Sequence, residues 1–199
     1  MRSSLVRNFV LILAGTWALS ASAEDARSTF EETLDQVLAV LRTEGSSEQV
    51  KLSQVETIAL NRFDFDLMTR LVLARNYRKL SEQQRADFEV EFRKHMSLTY
   101  GRRLLELSEE VIEIGESRTE KNADVTLKTR VVGGAADGVT IDYRHRERDG
   151  SWYIIDVIIE GVSLISNFRS QVKEIMTESG ADRLIEILHQ KNAKDSATG

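Results

Sequence analysis

Residues 152–159, WYIIDVII, carry apolar side chains at consecutive positions, and Asp156 alone interrupts the run of Ile154, Ile155, Val157, Ile158 and Ile159. Successive side chains of a strand point to opposite faces, so a half-buried strand alternates apolar and polar residues. This one does not. Both of its faces leave water, and a sheet with one wet side has no use for such a strand.

The segments before it have a period of two. VIEIGES (111–117), DVTLKTRVV (124–132), GVTIDYRHR (138–146) and SWYIIDVIIEGV (151–162) read as four strands. Gly133-Gly134 and Asp149-Gly150 are turn signals, so neighbouring strands pair as antiparallel hairpins. Val125, Leu127 and Val131 share one face of their strand, and Val139, Ile141 and Tyr143 share one face of the next.

Helices flank this meander. Ser28 with Glu31 reads as a capping box opening a helix that carries Phe30, Leu34, Val37, Leu38 and Leu41. Gly45-Ser46-Ser47 ends it. A second helix covers about Glu48 to Leu60, a third runs through 61–80, and Ser81 with Gln84 caps a long fourth. In that fourth helix Phe88, Phe92, Met96, Tyr100 and Leu104 recur every four residues. After the strands come helices over Ser163–Glu178 and Ala181 to about Lys191, separated by Gly180, and then a loose tail over 193–199. Helices, meander, helices is an α+β pattern: helices packed on a curved, antiparallel four-stranded sheet.

The first 23 residues read as a leader. Arg2 and Arg7 precede an apolar run from Phe9 to Leu19, and Ala21-Ser22-Ala23 makes a small-residue cleavage site. The run is shorter than the roughly 20 residues a membrane-spanning helix needs. Cleavage after Ala23 leaves 176 of the 199 residues as one domain (24–192, plus the tail) and moves the net charge from −5 to −7. Such an acidic domain is a poor partner for nucleic acid. No other stretch is apolar enough for stable membrane insertion, so the expectation is a soluble monomer secreted across an inner membrane.

The inventory for catalysis is thin. There is no cysteine, and the histidines number three. His95 stands beside Arg93 and Lys94, and His145 lies between Arg144 and Arg146; both read as solvated. His189 falls in the last helix. No metal-ligand spacing and no phosphate-cradling glycine loop occurs in the sequence. Asp64 and Asp66 in FDFD read as helix-capping and dipole-compensating carboxylates. The expectation is a protein that is not an enzyme and that holds no cofactor or metal.

SWYIIDVIIEGVSLISNFRSQ (151–171) resembles the Trp-x-x-x-Asp-x-x-x-Glu-Gly-Val-Ser-Leu/Met segment of the MlaC family, also called Ttg2D or toluene-tolerance proteins. The matching residues are Trp152, Asp156, Glu160, Gly161, Val162, Ser163 and Leu164. A second block, 63–104, is similar to the family's helical half through Leu73-Ala74 with Tyr77, Ser81 with Gln84-Arg85, Phe88 with Phe92, and Tyr100-Gly101. The chain departs from the pattern in having Ala74 where glycine is common, and in lacking proline.

The resemblance implies a cone-like (NTF2-like) fold enclosing an apolar cavity, in a periplasmic carrier of phospholipid. Its implied partners are an outer-membrane lipoprotein complex and an inner-membrane ABC transporter with an MCE subunit, together maintaining outer-membrane lipid asymmetry. The alternatives are a carrier of another lipid such as a hopanoid, an enzyme on the same scaffold acting on a small hydrophobic substrate, or a lipid-free interaction module. Because a carboxylate is costly in a dry cavity, the face shared by Asp156, Trp152, Ile154 and Ile158 is expected to point away from lipid, leaving Ile155, Val157 and Ile159 to line the cavity. The full expected lining is Tyr100, Leu104, Val125, Leu127, Val139, Ile141, Tyr143, Ile155, Val157, Ile159 and Val162.

Overall fold

Local caps set the helix boundaries. In a computed structural model, which describes residues 14–105 and 110–197 with side chains over 22–101 and 110–197, Ser81 and Gln84 exchange bonds at the start of the fourth helix. The Ser81 amide donates to Gln84 Oε1 at 2.9 Å and the Gln84 amide to Ser81 Oγ at 3.2 Å, the reciprocal arrangement expected of S-x-x-Q. Ser47 and Ser163 likewise accept from the amides of Val50 and Ser166.

The chain forms α1 (Ala14–Leu41), α2 (Glu48–Arg62), α3 (Phe65–Leu73), a 3₁₀ turn (Ala74–Lys79) and α4 (Glu82–Leu105). Strands β1 (Val111–Thr119), β2 (Val125–Val132), β3 (Ile141–Arg148), β4 (Ser151–Ile159) and β5 (Val162–Ser163) follow, then α5 (Leu164–Glu178) and α6 (Gly180–Ala197). The five strands make one antiparallel sheet in sequence order. The fold is α+β, and the sheet gains a short fifth strand beyond the four read from the sequence.

Several local expectations fail for physical reasons. Ser28 does not open a helix: α1 is continuous from Ala14, and Ser28 Oγ donates to the Asp25 carbonyl inside it. The leader lies largely outside the described residues. The helix expected over 61–80 divides at Phe63–Asp64. There the Asp64 amide donates to the Ile154 carbonyl of β4 at 3.0 Å, while its carboxylate caps α3 through Leu67 N. β3 begins at Ile141 rather than Gly138, because Gly138 takes φ 85° in the turn. α6 continues through Ala197, past the expected start of a loose tail.

The core lies between one face of the sheet and the helices. Phe30 of α1, Met68 and Val72 of α3, Phe88 and Phe92 of α4, Phe168 and Val172 of α5 and Leu184 of α6 meet Val125, Leu127, Trp152, Ile154 and Val157. The opposite face is polar. Arg144, Arg146 and Arg148, on alternate positions of β3, each hold a buried aspartate. Arg144 pairs with Asp156 of β4; Arg146 grips Asp124 through two bonds of 2.6 and 2.7 Å; Arg148 reaches Asp64 at 2.7 Å.

Ala74, where the family resemblance led one to expect glycine, ends α3 with φ 49° and ψ −123°. A Cβ is unwelcome in that region and costs about 1–3 kcal/mol. Ala74→Gly, which enlarges the unfolded ensemble but removes the strain, is expected to stabilise the protein by about 1 kcal/mol. A melting temperature raised by about 2–4 °C would show it; an unchanged or lowered one would refute the strain.

Candidate functional site

The expected face assignment along β4 is half right, and a bulge explains why. The register pairs Ile141 with Ile159, Tyr143 with Val157 and Arg144 with Asp156, then slips so that His145 opposes Ile154. Ile155 is the extra residue. Alternation therefore inverts at that point, and Val157 and Ile159 share the helix-facing side with Ile154 and Trp152, not with Ile155. Ile155 is 1 % exposed yet stands outside the main core cluster. Asp156 does point away from the core, where it accepts from Arg144, from Ser163 Oγ at 2.6 Å and from the Ile165 amide at 3.1 Å.

The helix-facing side of the sheet differs between its two ends. At one end Val125, His145, Ile154 and Trp152 are buried. Toward the other, Ile114, Ile141, Tyr143 and Ile159 pack against the core cluster yet keep accessible surface, as does Tyr100 from α4. Tyr143 is the telling residue. It is enclosed deeply enough that burial pushes its phenol up to about 12, its ring lies 4.6 Å from that of Phe30, and still part of it remains accessible.

The expected lining residues therefore divide. Tyr100, Ile141, Tyr143 and Ile159 are partly buried and pack against the core cluster, and Val125, Leu127 and Val157 are buried within it. Val139 is half-buried in the turn before β3, its carbonyl accepting from the Val131 amide. Val162 is 56 % exposed on β5 and Ile155 lies outside the main core cluster, so neither joins that group. The side chain of Leu104 lies outside the described residues. Two surface depressions, of about 440 Å³ beside Trp152 and about 400 Å³ between α4 and α6, contain none of the eleven.

Two histidines read as solvated are buried. His95 bonds Asn192 Oδ1 at 3.1 Å and meets Phe168 edge-on at 5.5 Å. Burial holds its pKa below the ordinary value, with the nearby Lys191 charge acting the same way. His145 donates from Nδ1 to the Tyr143 carbonyl at 3.1 Å, meets Phe30 edge-on at 5.7 Å, and is pushed down to about 4 by burial. A signal was present for each. His145 shares the parity of Ile141 and Tyr143, and His95 sits three residues after Phe92 on the stripe that continues to Met96. The flanking basic residues concealed it.

Comparison with known proteins agrees with this architecture. A family model described as MlaC protein matches residues 31–190. The toluene tolerance protein ttg2D of Pseudomonas putida is 24% identical over 189 residues, spanning 92% of this chain and 87% of that protein. The structure of a phospholipid-binding protein from Ralstonia solanacearum, in complex with a phospholipid, superposes with a TM-score of 0.78 at 22% identity, over 86% of this chain and 99% of that one. With the family model running from α1 into α6, and so through both the helical half and the sheet, the chain belongs to the MlaC family.

Proposed function

We propose that this protein is a periplasmic phospholipid carrier, not an enzyme, and that acyl chains occupy the cleft where Ile114, Ile141, Tyr143 and Ile159 face the helices. The observation that carries the reading is Tyr143, deeply enclosed yet accessible among apolar neighbours. Membership of the MlaC family and the phospholipid held by the Ralstonia protein support it.

The energetics require such a site. Exposing an acyl chain to water costs about 0.8 kcal/mol per CH₂, or roughly 12 kcal/mol for a tail of about 15 methylenes. An apolar cleft removes most of that cost with no covalent step. The Tyr143 hydroxyl has no hydrogen-bond partner among the described residues and stays protonated at neutral pH. It offers one uncharged donor to a lipid ester carbonyl. Cargo would pass between an outer-membrane lipoprotein complex and an inner-membrane ABC transporter with an MCE subunit, and those partners would set its direction.

Protein purified without detergent is expected to release about one phospholipid per chain on solvent extraction, read by mass spectrometry. Absence of lipid, together with failure to take it from liposomes, would overturn the reading. Ile141→Trp fills accessible space instead of close-packed core, and is expected to lower lipid occupancy by more than half while moving the melting temperature by only about 2–4 °C.

Cleavage after Ala23 would leave Glu24 and Asp25 in the first turn of the shortened α1, where negative charge favours the helix dipole. Intact mass of periplasmic protein is expected to begin at Glu24; a species retaining Met1 in the cytosol would contradict the proposed location.

A further inference from the structure

Between α4 and α6 runs a groove of about 400 Å³ with a mostly apolar floor, lined by Val90 and Ile185 and rimmed by Asp87, Glu91, Asp182 and Glu186. It shares no residue with the proposed lipid site. Val90 is 52 % exposed on a helix whose neighbouring positions are charged. Cross-helix bonds hold the groove in shape. Gln84 Nε2 donates to Asp182 Oδ1 at 2.6 Å, and His189 Nδ1 meets Glu91 Oε1 at 2.7 Å. Beneath them Asn192 Nδ2 donates to Glu91 Oε2 at 2.7 Å and to the Glu91 carbonyl at 2.8 Å. The groove is formed before anything enters it, so an occupant would not have to order the helices.

The charge along the rim is one-sided. Apart from His189, which is engaged by Glu91, every ionisable lining residue is a carboxylate. Glu91 is further held below the ordinary carboxylate range by its bonds to His189 and Asn192, against the opposing effect of burial. Arg183 beside the rim pairs with Glu186 at 2.8 Å, leaving Asp87 and Asp182 with only neutral amide partners. An occupant must bring apolar surface for Val90 and Ile185 and positive charge for the rim. An anionic membrane surface is repelled, and a two-fold dimer through this groove would set the acidic rim against itself.

We infer that the α4–α6 groove docks a protein segment in which lysine or arginine surrounds one or two exposed apolar side chains. The inference rests on the groove itself and stands or falls independently of lipid binding.

The test uses the processed chain and a labelled synthetic helical peptide about four turns long, with a leucine stripe bordered by lysines. A control peptide replaces every lysine with glutamate. The lysine peptide is expected to bind, to shift the methyl resonances of Val90 and Ile185, and to weaken at high salt. Asp87→Lys combined with Glu186→Lys is expected to weaken it about tenfold, with melting unchanged because both side chains are exposed. Val90→Ser, also at an exposed position, is expected to weaken it without altering charge. Equal binding of both peptides, undiminished binding by both variants, or shifts confined to other surfaces would overturn the inference. So would a dimer that the charge variant dissociates, or anionic vesicles that displace the peptide from the groove.

Discussion

Asp156→Ala is expected to destabilise the protein by about 3 kcal/mol, because one carboxylate closes three separate interactions. Its oxygens take Arg144 from the strand alongside, Ser163 Oγ from β5 and the Ile165 amide at the start of α5. Removing one partner of a buried ion pair costs about 3–5 kcal/mol, since the other is left uncompensated. Arg144 keeps a third of its side chain in solvent and regains some hydration, which places the loss at the lower end. The melting temperature should fall by about 6–12 °C. Asp156→Asn keeps an acceptor for the Ile165 amide and should lose about half as much. The double variant Arg144→Met with Asp156→Leu should recover most of the loss, since neither charge then remains buried. If Asp156→Ala melts like the parent protein, the ion pair is not holding α5 to the sheet.

Acidification from pH 7 to pH 4 is expected to weaken the fold by about 3 kcal/mol through His145 alone. Unfolded, this imidazole titrates near 6.5; folded, burial pushes it down to about 4. Between those values the unfolded chain holds a proton that the folded chain does not, so stability falls as pH falls. The loss begins near pH 6.5 and is complete below about pH 4. Burial outweighs the backbone bonds of Tyr143 and Val125 that favour the proton: Nδ1 donates to the Tyr143 carbonyl, and Nε2 is buried without a partner in hydrogen-bond geometry. His95 is lowered too, and adds to the slope in the same direction. His145→Phe should flatten most of the pH dependence of the melting temperature over that window. A slope unchanged in His145→Phe would mean that His145 is already protonated in the folded state.

Period and punctuation made most of the architecture legible. The capping box at Ser81, the turns at Gly133-Gly134 and Asp149-Gly150, and the change of period near Glu110 located α4 and the meander. The two-sided strand marked β4, whose residues 154–157 are all buried. What periodicity could not supply was the single extra residue at Ile155, which reverses the meaning of alternation for half of β4. A bulge depends on how two strands pair, and neither strand records it alone. The facing of the candidate residues was legible in the same proportion. Ile141, Tyr143 and Ile159 face the helices as expected because they lie on the regular side of the bulge; Ile155 does not because it forms it. Val162 matched the family segment by type, yet sits on a two-residue edge strand that leaves it in solvent. The arginines of β3 looked like a wet face because their counter-ions come from α3, from the turn before β2 and from β4.

Those counter-ions have a consequence for the order in which the molecule assembles. Asp64 precedes Arg148 by 84 residues, and Asp124 precedes Arg146 by 22. A chain emerging from its N-terminus makes both aspartates before the cations that neutralise them. Until residue 148 arrives, α3 has no charged partner for its capping carboxylate and the β1–β2 turn has none for its buried one. Neither can be taken out of water without cost. The first 140 residues thus contain seven aromatic side chains of the core and its margin, but not the strand that carries the neutralising charges. Closure of α3 and of the β1–β2 turn therefore waits for β3, through the position of two arginines, Arg146 and Arg148.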